Sequence, residues 1–385
     1  MLRIEIAVED AAAGQTRWDA IEFSIPADFH AHNDTVAAAL MTLVGTTYQA
    51  VSFNFPISAR CAELLGRRYQ GVAIGPVDPA QAPRRPGQRI GVNFSGGTDS
   101  VAVWLLLREF YGNDFLVITS DYFPIGGAEV RGFAGYHRDV TCRTNLRQRG
   151  FDQAGRFHFC VPLLFAEYLD LGRIVTGHTL SQTADGVADY RGGLRPAFLD
   201  GDLAVQAGGL EDVHLIRSLT SIGVGKLLLT LAPERIDAAL EASSHPGQSK
   251  QYLNAEILRY LFRDAGLPLT PLLADDRPLR RPMGRFEHAL RLLYLFSRAG
   301  RDVVCTICPD FCLLDLEVLG RLRFTFLTRY NPVLAGLLEE PLRGQAIDLF
   351  EACGVSAYDD VDWEELAVVR RQLKHRFARY RQLAD

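Results

Sequence analysis

The chain has 385 residues, 48% hydrophobic and 23% charged, a globular composition that excludes the disordered, collagen-like and low-complexity classes. At roughly 150 residues per domain it predicts two or three domains. Forty-one basic against 46 acidic residues leave a net charge of −5, so no global positive field draws the protein onto nucleic acid or anionic lipid.

Taken in chain order, residues 1–75 alternate apolar and polar residues over 18–25 and 48–55, with one helical run from Asp34 to Leu43. They predict a small α+β domain. The opening residues alternate acidic with apolar positions, unlike a signal peptide. The apolar run Val36–Val44 is under half the ~20 residues a spanning helix needs, so no membrane partner is expected. The segment from Gly75 to Gly87 holds four prolines and two glycines, too many for a helix or central strand, and predicts a linker over 76–87.

Residues 88–231 repeat strand then helix. Strands are predicted at Arg89–Phe94, Phe115–Ser120, Phe157–Val161 and Arg173–Thr176, and a helix runs from Ser100 to Tyr111, stopped by Gly112. Alternating β and α predicts an α/β domain whose parallel sheet carries helices on both faces. Residues 232–385 read as a mainly helical C-terminal region, and no internal repeat is present.

The segment Ser95-Gly96-Gly97-Thr98-Asp99-Ser100 lies between the first of these strands and its helix. A strand, a tight glycine turn and a helix N-terminus make an anion site, because backbone N–H groups point outward and the helix dipole adds positive potential. Gly96 and Gly97 let phosphate oxygens approach the main chain. Ser95 and Ser100 add hydroxyls, and Asp99 is placed to hold Mg²⁺ or to cap the helix. Neither G-x-x-x-x-G-K-[ST] nor G-x-G-x-x-G is present: Gly225-Lys226 is followed by Leu227.

The S-G-G-x-D-S turn resembles the PP-loop of the ATP pyrophosphatase superfamily, with an adenine nucleotide α-hydrolase-like, Rossmann-like fold. Larger, diverged relatives of 7-cyano-7-deazaguanine synthase are the nearest likeness. The resemblance implies ATP with Mg²⁺, cleavage between the α- and β-phosphates, and transfer of AMP to a substrate oxygen. It assigns ATP binding to Ser95, Gly96, Gly97, Thr98, Asp99, Ser100, Asp121, Gly177 and His178. Asp121 follows a strand at its carboxyl end. Thr176-Gly177-His178 resembles the G-H-x-x-D-D-x-x-E-T segment of tRNA-lysidine synthase relatives, with Ser181 and Gln182 in place of the acids and Asp185 at the Glu position. Thr141–Arg147, on a helical pattern, resembles a T-N-x-R segment and gives Arg147 a substrate carboxylate or the α-phosphate to pair with. Ile216–Lys226 resembles a P-L…K segment that brings Lys226 to phosphate. Catalysis is thus expected from Asp99, Ser100, Arg147 and Lys226.

Seven cysteines, an odd number spread over the chain, do not form a disulfide framework and predict a reducing, cytoplasmic setting. Cys305, Cys308 and Cys312 fall within eight residues, a spacing that suits tetrahedral Zn²⁺. The cluster resembles the C-terminal zinc knuckle of the same synthases, with the fourth ligand to come from Cys353, His288 or Asp310. Reduced buried thiols and an iron–sulfur cluster are the competing readings. Arginines 277, 280, 281 and 285 and the tail from Arg370 to Arg381 are basic, and are read as solvated faces ahead of RNA contacts.

The expected function is an AMP-forming, C–N bond-forming ligase that adenylates a carboxylate or amide of a small molecule or modified base. The enlarged N-terminal region matches relatives in natural-product and phage-defence contexts. Nucleic acid is not the favoured partner, and a homodimer is compatible. A tRNA-modifying enzyme for lysidine synthesis or thiolation, and a nucleotide-binding regulatory module without turnover, are the alternatives.

Overall fold

In a computed structural model of the chain, the described residues are all but 11–13, 126, 155, 181–200, 244–248, 270–279 and 378–385. They fall into two compact units. One holds residues 1–95, 113–176 and 200–213; the other holds 96–112, 177–199 and 214–385.

The first unit begins with an antiparallel hairpin of β1 (Leu2–Asp10) and β2 (Gln15–Phe23). Helix α1 (Asn33–Val44) follows, then β3 (Ala50–Ser58), α2 (Ala59–Arg68) and β4 (Ala73–Asp78), a parallel strand pair joined through a helix. Next comes β5 (Arg89–Asn93), after which the chain leaves for α3 (Thr98–Tyr111) of the second unit. It returns as β6 (Leu116–Asp121), α4 (Gly127–Phe133), β7 (Val140–Arg143), α5 (Cys160–Leu164), β8 (Leu171–Val175), α6 (Leu203–Ala207) and β9 (Glu211–Val213).

Strands β5 to β9 form one sheet in the order β7-β6-β5-β8-β9, every neighbouring pair parallel. The chain builds outward from β5 in one direction and then, from β8, in the other, so a topological switch point lies between β5 and β8. The inner strands are apolar without alternation, as a parallel sheet covered on both faces requires: Ile90, Val92, Leu116, Val117, Ile118, Leu171, Ile174 and Val175 are all buried. The expected α/β class with a parallel sheet is borne out.

Three local expectations are corrected. Phe157–Val161 is not a strand: Phe157–Phe159 is a 3-10 turn that runs into α5. Pro162 explains this, since it has no N–H for a central strand but costs nothing in a first helical turn. Thr141–Arg147 is not helical; it enters as β7, where pairing with β6 outweighs local propensity. Its end receives the N-terminal hairpin: Glu22 N–H donates to Asn145 Oδ1 at 2.9 Å and Ser24 N–H to the Arg143 carbonyl at 2.8 Å. Strand β9, three residues long, carries too little pattern to be read from sequence.

Residues 1–95 lie in the same compact unit as the parallel sheet. Ile21, Phe23, Ala38, Met41 and Leu65 share one core with Leu116, Ile118, Leu171 and Ile174. The proline-rich segment is pinned by Arg84, whose side chain is 2% exposed. Its guanidinium donates to Glu167 Oε2 (2.8 Å) and to the carbonyls of Gly209 (2.9 Å), Ala166 (2.8 Å) and Leu171 (2.8 Å). Its backbone N–H reaches the buried Asp34 carboxylate at 3.3 Å, which also accepts from Ser58 N–H and Oγ–H.

The second unit is helical. Besides α3 it holds α7 (Ser221–Leu231), α8 (Ile236–Ala242), α9 (Ser249–Asp264), α10 (Phe286–Ala299), α11 (Arg301–Ile307), α12 (Leu342–Ala352) and α13 (Asp360–Arg376). Helix α7 packs against both α3 and α9. At Gly225 an added Cβ would come within 2.7 Å of Leu261 on α9, so the absent side chain permits that approach. Among the described residues of 232–385 the named elements are helices and 3-10 turns. Among the described residues no helix is long and apolar enough to cross a membrane.

Candidate nucleotide site

Strand β5 ends in Phe94, buried and packed on Tyr136 with ring centroids 4.7 Å apart. The chain then turns through exposed Ser95 and through Gly96 at φ +79°, a left-handed conformation that favours glycine. Gly97 is the N-cap of α3, with no hydrogen bond from its own side and extended backbone. The turn is therefore not a Ser- or Asp-capped helix start. Ser100 is buried and donates to the Gly97 carbonyl at 3.0 Å, which closes the turn from inside.

The Thr98 N–H, expected to face phosphate, donates instead to Ser243 Oγ at 3.1 Å, just beyond α8. The hydroxyl of Ser243 in turn donates to the Ala239 carbonyl. Gly177 lies against the same helix end: a Cβ there would meet the Asp99 backbone carbon at 3.1 Å and the Ser100 nitrogen at 3.2 Å. Glycine at 177 thus lets the segment after β8 touch the first turn of α3. His178 follows and stacks with His214, ring centroids 4.8 Å apart. His214, the residue after β9, was not singled out from sequence; a three-residue strand gave no reason to look there.

Asp99 keeps part of its surface open, yet desolvation pushes its carboxyl up to about 6, with Glu287 adding to the rise and Lys250 and Arg291 opposing it. Arg291, buried on α10, forms an ion pair with Glu287 and donates to Ser221 Oγ at 3.3 Å. Burial alone would raise Glu287, but Arg291 and Lys250 hold it below the usual carboxylate value. The first turn of α3 therefore carries a carboxylate whose ionised form is poorly solvated and which sits among two cations. Lys250 and Arg291 were missed in the sequence because neither lies in a recognisable motif.

Lys226 is placed elsewhere. Its ammonium donates to the Gly354 carbonyl beyond α12. The neighbouring Cys353 feels both Lys226 and Glu109, and Glu109 is about 15 Å along α3 from Asp99 at 1.5 Å per residue. Lys226 thus ties α7 to the turn after α12. Lys226→Met is expected to cost about 1 kcal/mol of stability, the worth of one hydrogen bond to a charged donor in part-exposed surroundings, and to leave Mg-ATP affinity within about twofold. Calorimetric titration checks it; a tenfold loss of affinity would contradict this placement.

Asp121 and Arg147 belong to the sheet unit. Asp121 ends β6 and lies 3.9 Å from Arg143, whose guanidinium stacks on Phe123. Arg147 is held between the rings of Tyr122 (4.2 Å) and Phe157 (4.9 Å) and pairs with Glu129 at 3.3 Å. Its charge is already matched, so it holds the carboxyl-end loops together; a substrate carboxylate would have to displace Glu129.

Of the three clustered cysteines, Cys305 and Cys312 are paired as a disulfide and Cys308 is buried. Sulfurs bonded to each other are not thiolate ligands, and among the described residues no three His, Cys, Asp or Glu side chains converge to hold a metal. Asp310 is engaged too, accepting from Met283 N–H at 2.8 Å. Ser181, Gln182, Asp185, Arg277, Arg379 and Arg381 lie outside the described residues.

Compared with known proteins, the chain matches no family model, no curated protein and no solved structure.

Proposed function

We propose that the protein is an AMP-forming enzyme that binds Mg-ATP at the turn between β5 and α3 and adenylates a carboxylate or amide oxygen of a small molecule or modified base. The observation that carries this reading is the Ser95–Ser100 turn itself. It leaves the carboxyl end of a strand at the switch point of a parallel sheet, passes through a left-handed Gly96 and opens α3 at Gly97. That is where open α/β sheets bind ligands, and a helix N-terminus favours anions.

Each residue has a chemical task in this reading. Gly96 and Gly97 bring main-chain amides to the departing β- and γ-phosphates. Ser100 keeps the turn closed. Asp99, costly to ionise where desolvation raises its carboxyl, gains a counter-ion when Mg²⁺ arrives with the nucleotide. Lys250 and Arg291 supply the positive charge that a P-loop would place on its Lys. A substrate oxygen attacks the α-phosphorus, the bond to the bridging oxygen breaks, and pyrophosphate takes the electron pair. A nitrogen nucleophile then displaces AMP.

ATP–pyrophosphate exchange tests this. Labelled pyrophosphate is expected to enter ATP only when a member of a panel of heterocyclic carboxylates and amides is present. Tight Mg-ATP binding with no exchange across such a panel would leave a nucleotide-binding module and contradict the adenylation.

A further inference from the structure

We propose that the outer edge of β1 docks a second copy of this chain: two β1 strands pair antiparallel about a two-fold axis at Ile6 and join two hairpins into one four-stranded sheet. Among the described residues β2 is the one strand that pairs with β1. The hairpin is fastened to the end of β7 through β2, by the Phe23–Thr144 bridge and the Ser24 N–H to Arg143 carbonyl bond, which leaves β1 outermost. Its other edge presents a row of backbone N–H and C=O groups over nine residues, about 30 Å at ~3.4 Å per residue. Proteins commonly blunt such an edge with Lys, Pro or a bulge. β1 contains no Lys, Pro or Gly, and its register with β2 runs unbroken from Leu2 opposite Phe23 to Asp10 opposite Gln15.

Burial across the hairpin points the same way. Ile21 and Phe23 on β2 are fully buried, whereas Ile4 and Leu2, directly opposite them on the same face, are only half-buried. Ile6 and Val8 continue that half-buried apolar stripe along β1. The inner face of the hairpin is closed on β2 and open on β1. A neighbouring strand with the same alternation would extend the apolar face and the hydrogen-bond ladder together.

The charges on β1 identify a second copy as that neighbour. Centred on Ile6, the antiparallel pairing sets Arg3 opposite the partner's Glu9 at both ends, Ile4 opposite Val8, and Glu5 opposite Ala7. The whole strand is used and no like charges face each other. A register centred on Glu5 sets that residue against its own copy, and one centred on Ala7 sets Glu5 against Glu9; like charges directly opposite are destabilising. Centring on Ile4 shortens the ladder to Leu2–Ile6. Within its own chain Arg3 lies 3.5 Å from Glu5 and 3.7 Å from Glu22, exposed pairs that exchange at little cost for the partner's Glu9. The two-fold seam occupies both outer edges, so assembly stops at the dimer.

The test uses the full chain. Sedimentation velocity from about 1 µM to about 100 µM, the range in which a small interface associates, is expected to show the wild type passing from monomer to dimer with no larger species. Arg3→Glu and Glu9→Arg each set like charges opposite at both ends of the seam, and each is expected to weaken dimerisation by about tenfold or more. Mixed in equal amounts, the two variants are expected to recover the dimer, because each end of the mixed seam again holds opposite charges. Native mass spectrometry with one variant isotope-labelled should then find the mixed pair. Both positions are exposed, so thermal midpoints are expected to stay within about 2 °C of the wild type, and recovery on mixing separates a broken seam from a damaged hairpin. A wild type that stays monomeric across the range, its edge covered by its own chain, would overturn the proposal. So would a dimer that survives both single substitutions, variants that fail to recover on mixing, or a wild type that grows into longer assemblies.

Discussion

Asp99→Ala is expected to lower AMP formation on the order of 10²–10³-fold, the scale of losing one preorganised electrostatic stabiliser, while the protein folds normally. The same position separates binding from stability through pH. Its carboxyl is raised from 3.8 to about 6 in the fold, so the folded state prefers the protonated form. Stability is fullest below the unfolded value and is lost as pH rises from about 4 through about 6. A two-unit shift is worth about 3 kcal/mol; partial exposure and the favourable helix dipole on the charged form reduce this to about 1 kcal/mol. Asp99→Asn should therefore be about 1 kcal/mol more stable than the wild type at pH 7.5, equal to it near pH 4, and still defective in turnover. Urea unfolding at the two pH values checks the first pair of outcomes. An Asn variant less stable at pH 7.5 would mean that Asp99 is a structural anchor rather than a charge awaiting a cation.

Arg84→Ala is expected to cost about 3–5 kcal/mol, the range for breaking a buried, hydrogen-bonded charge. Glu167 loses its partner, and the carbonyls of Ala166, Leu171 and Gly209 each lose a donor. Arg84→Lys should recover only part of this, because an ammonium cannot reproduce the planar fork that serves these partners at once. Denaturant midpoints of the two variants decide it. A loss under 1 kcal/mol for Arg84→Ala would mean that the proline-rich segment is a free linker after all.

The alternation of apolar strands and helices, the strand ends at Asn93, Asp121 and Val175, and the glycine turn were legible because each is a local pattern. What failed was long-range. Nothing local to Pro76–Gly87 announces that Arg84 will be buried among four carbonyl and carboxylate partners, so a proline run read as a linker. Residues 141–147 have a helical polar pattern, yet the edge of β6 takes Thr141–Arg143 as a strand and the hairpin seals its end. Lys226 was chosen for its position in a motif-like string, whereas its ammonium points to Gly354. Lys250 and Arg291, which act on Asp99, come from helices more than 150 residues further along the chain. Spacing placed three cysteines together, but it could not say that Cys305 and Cys312 would pair.

The bond broken in ATP tests the central claim most directly. Wild-type protein, Mg-ATP and a substrate that supports pyrophosphate exchange are incubated with ammonium ion, and the nucleotides are separated by anion-exchange chromatography. AMP and pyrophosphate in equal amounts are predicted, because in the proposed function the Gly96–Gly97 turn would hold the two outer phosphates as one leaving unit. ADP and inorganic phosphate as the main products would contradict the account.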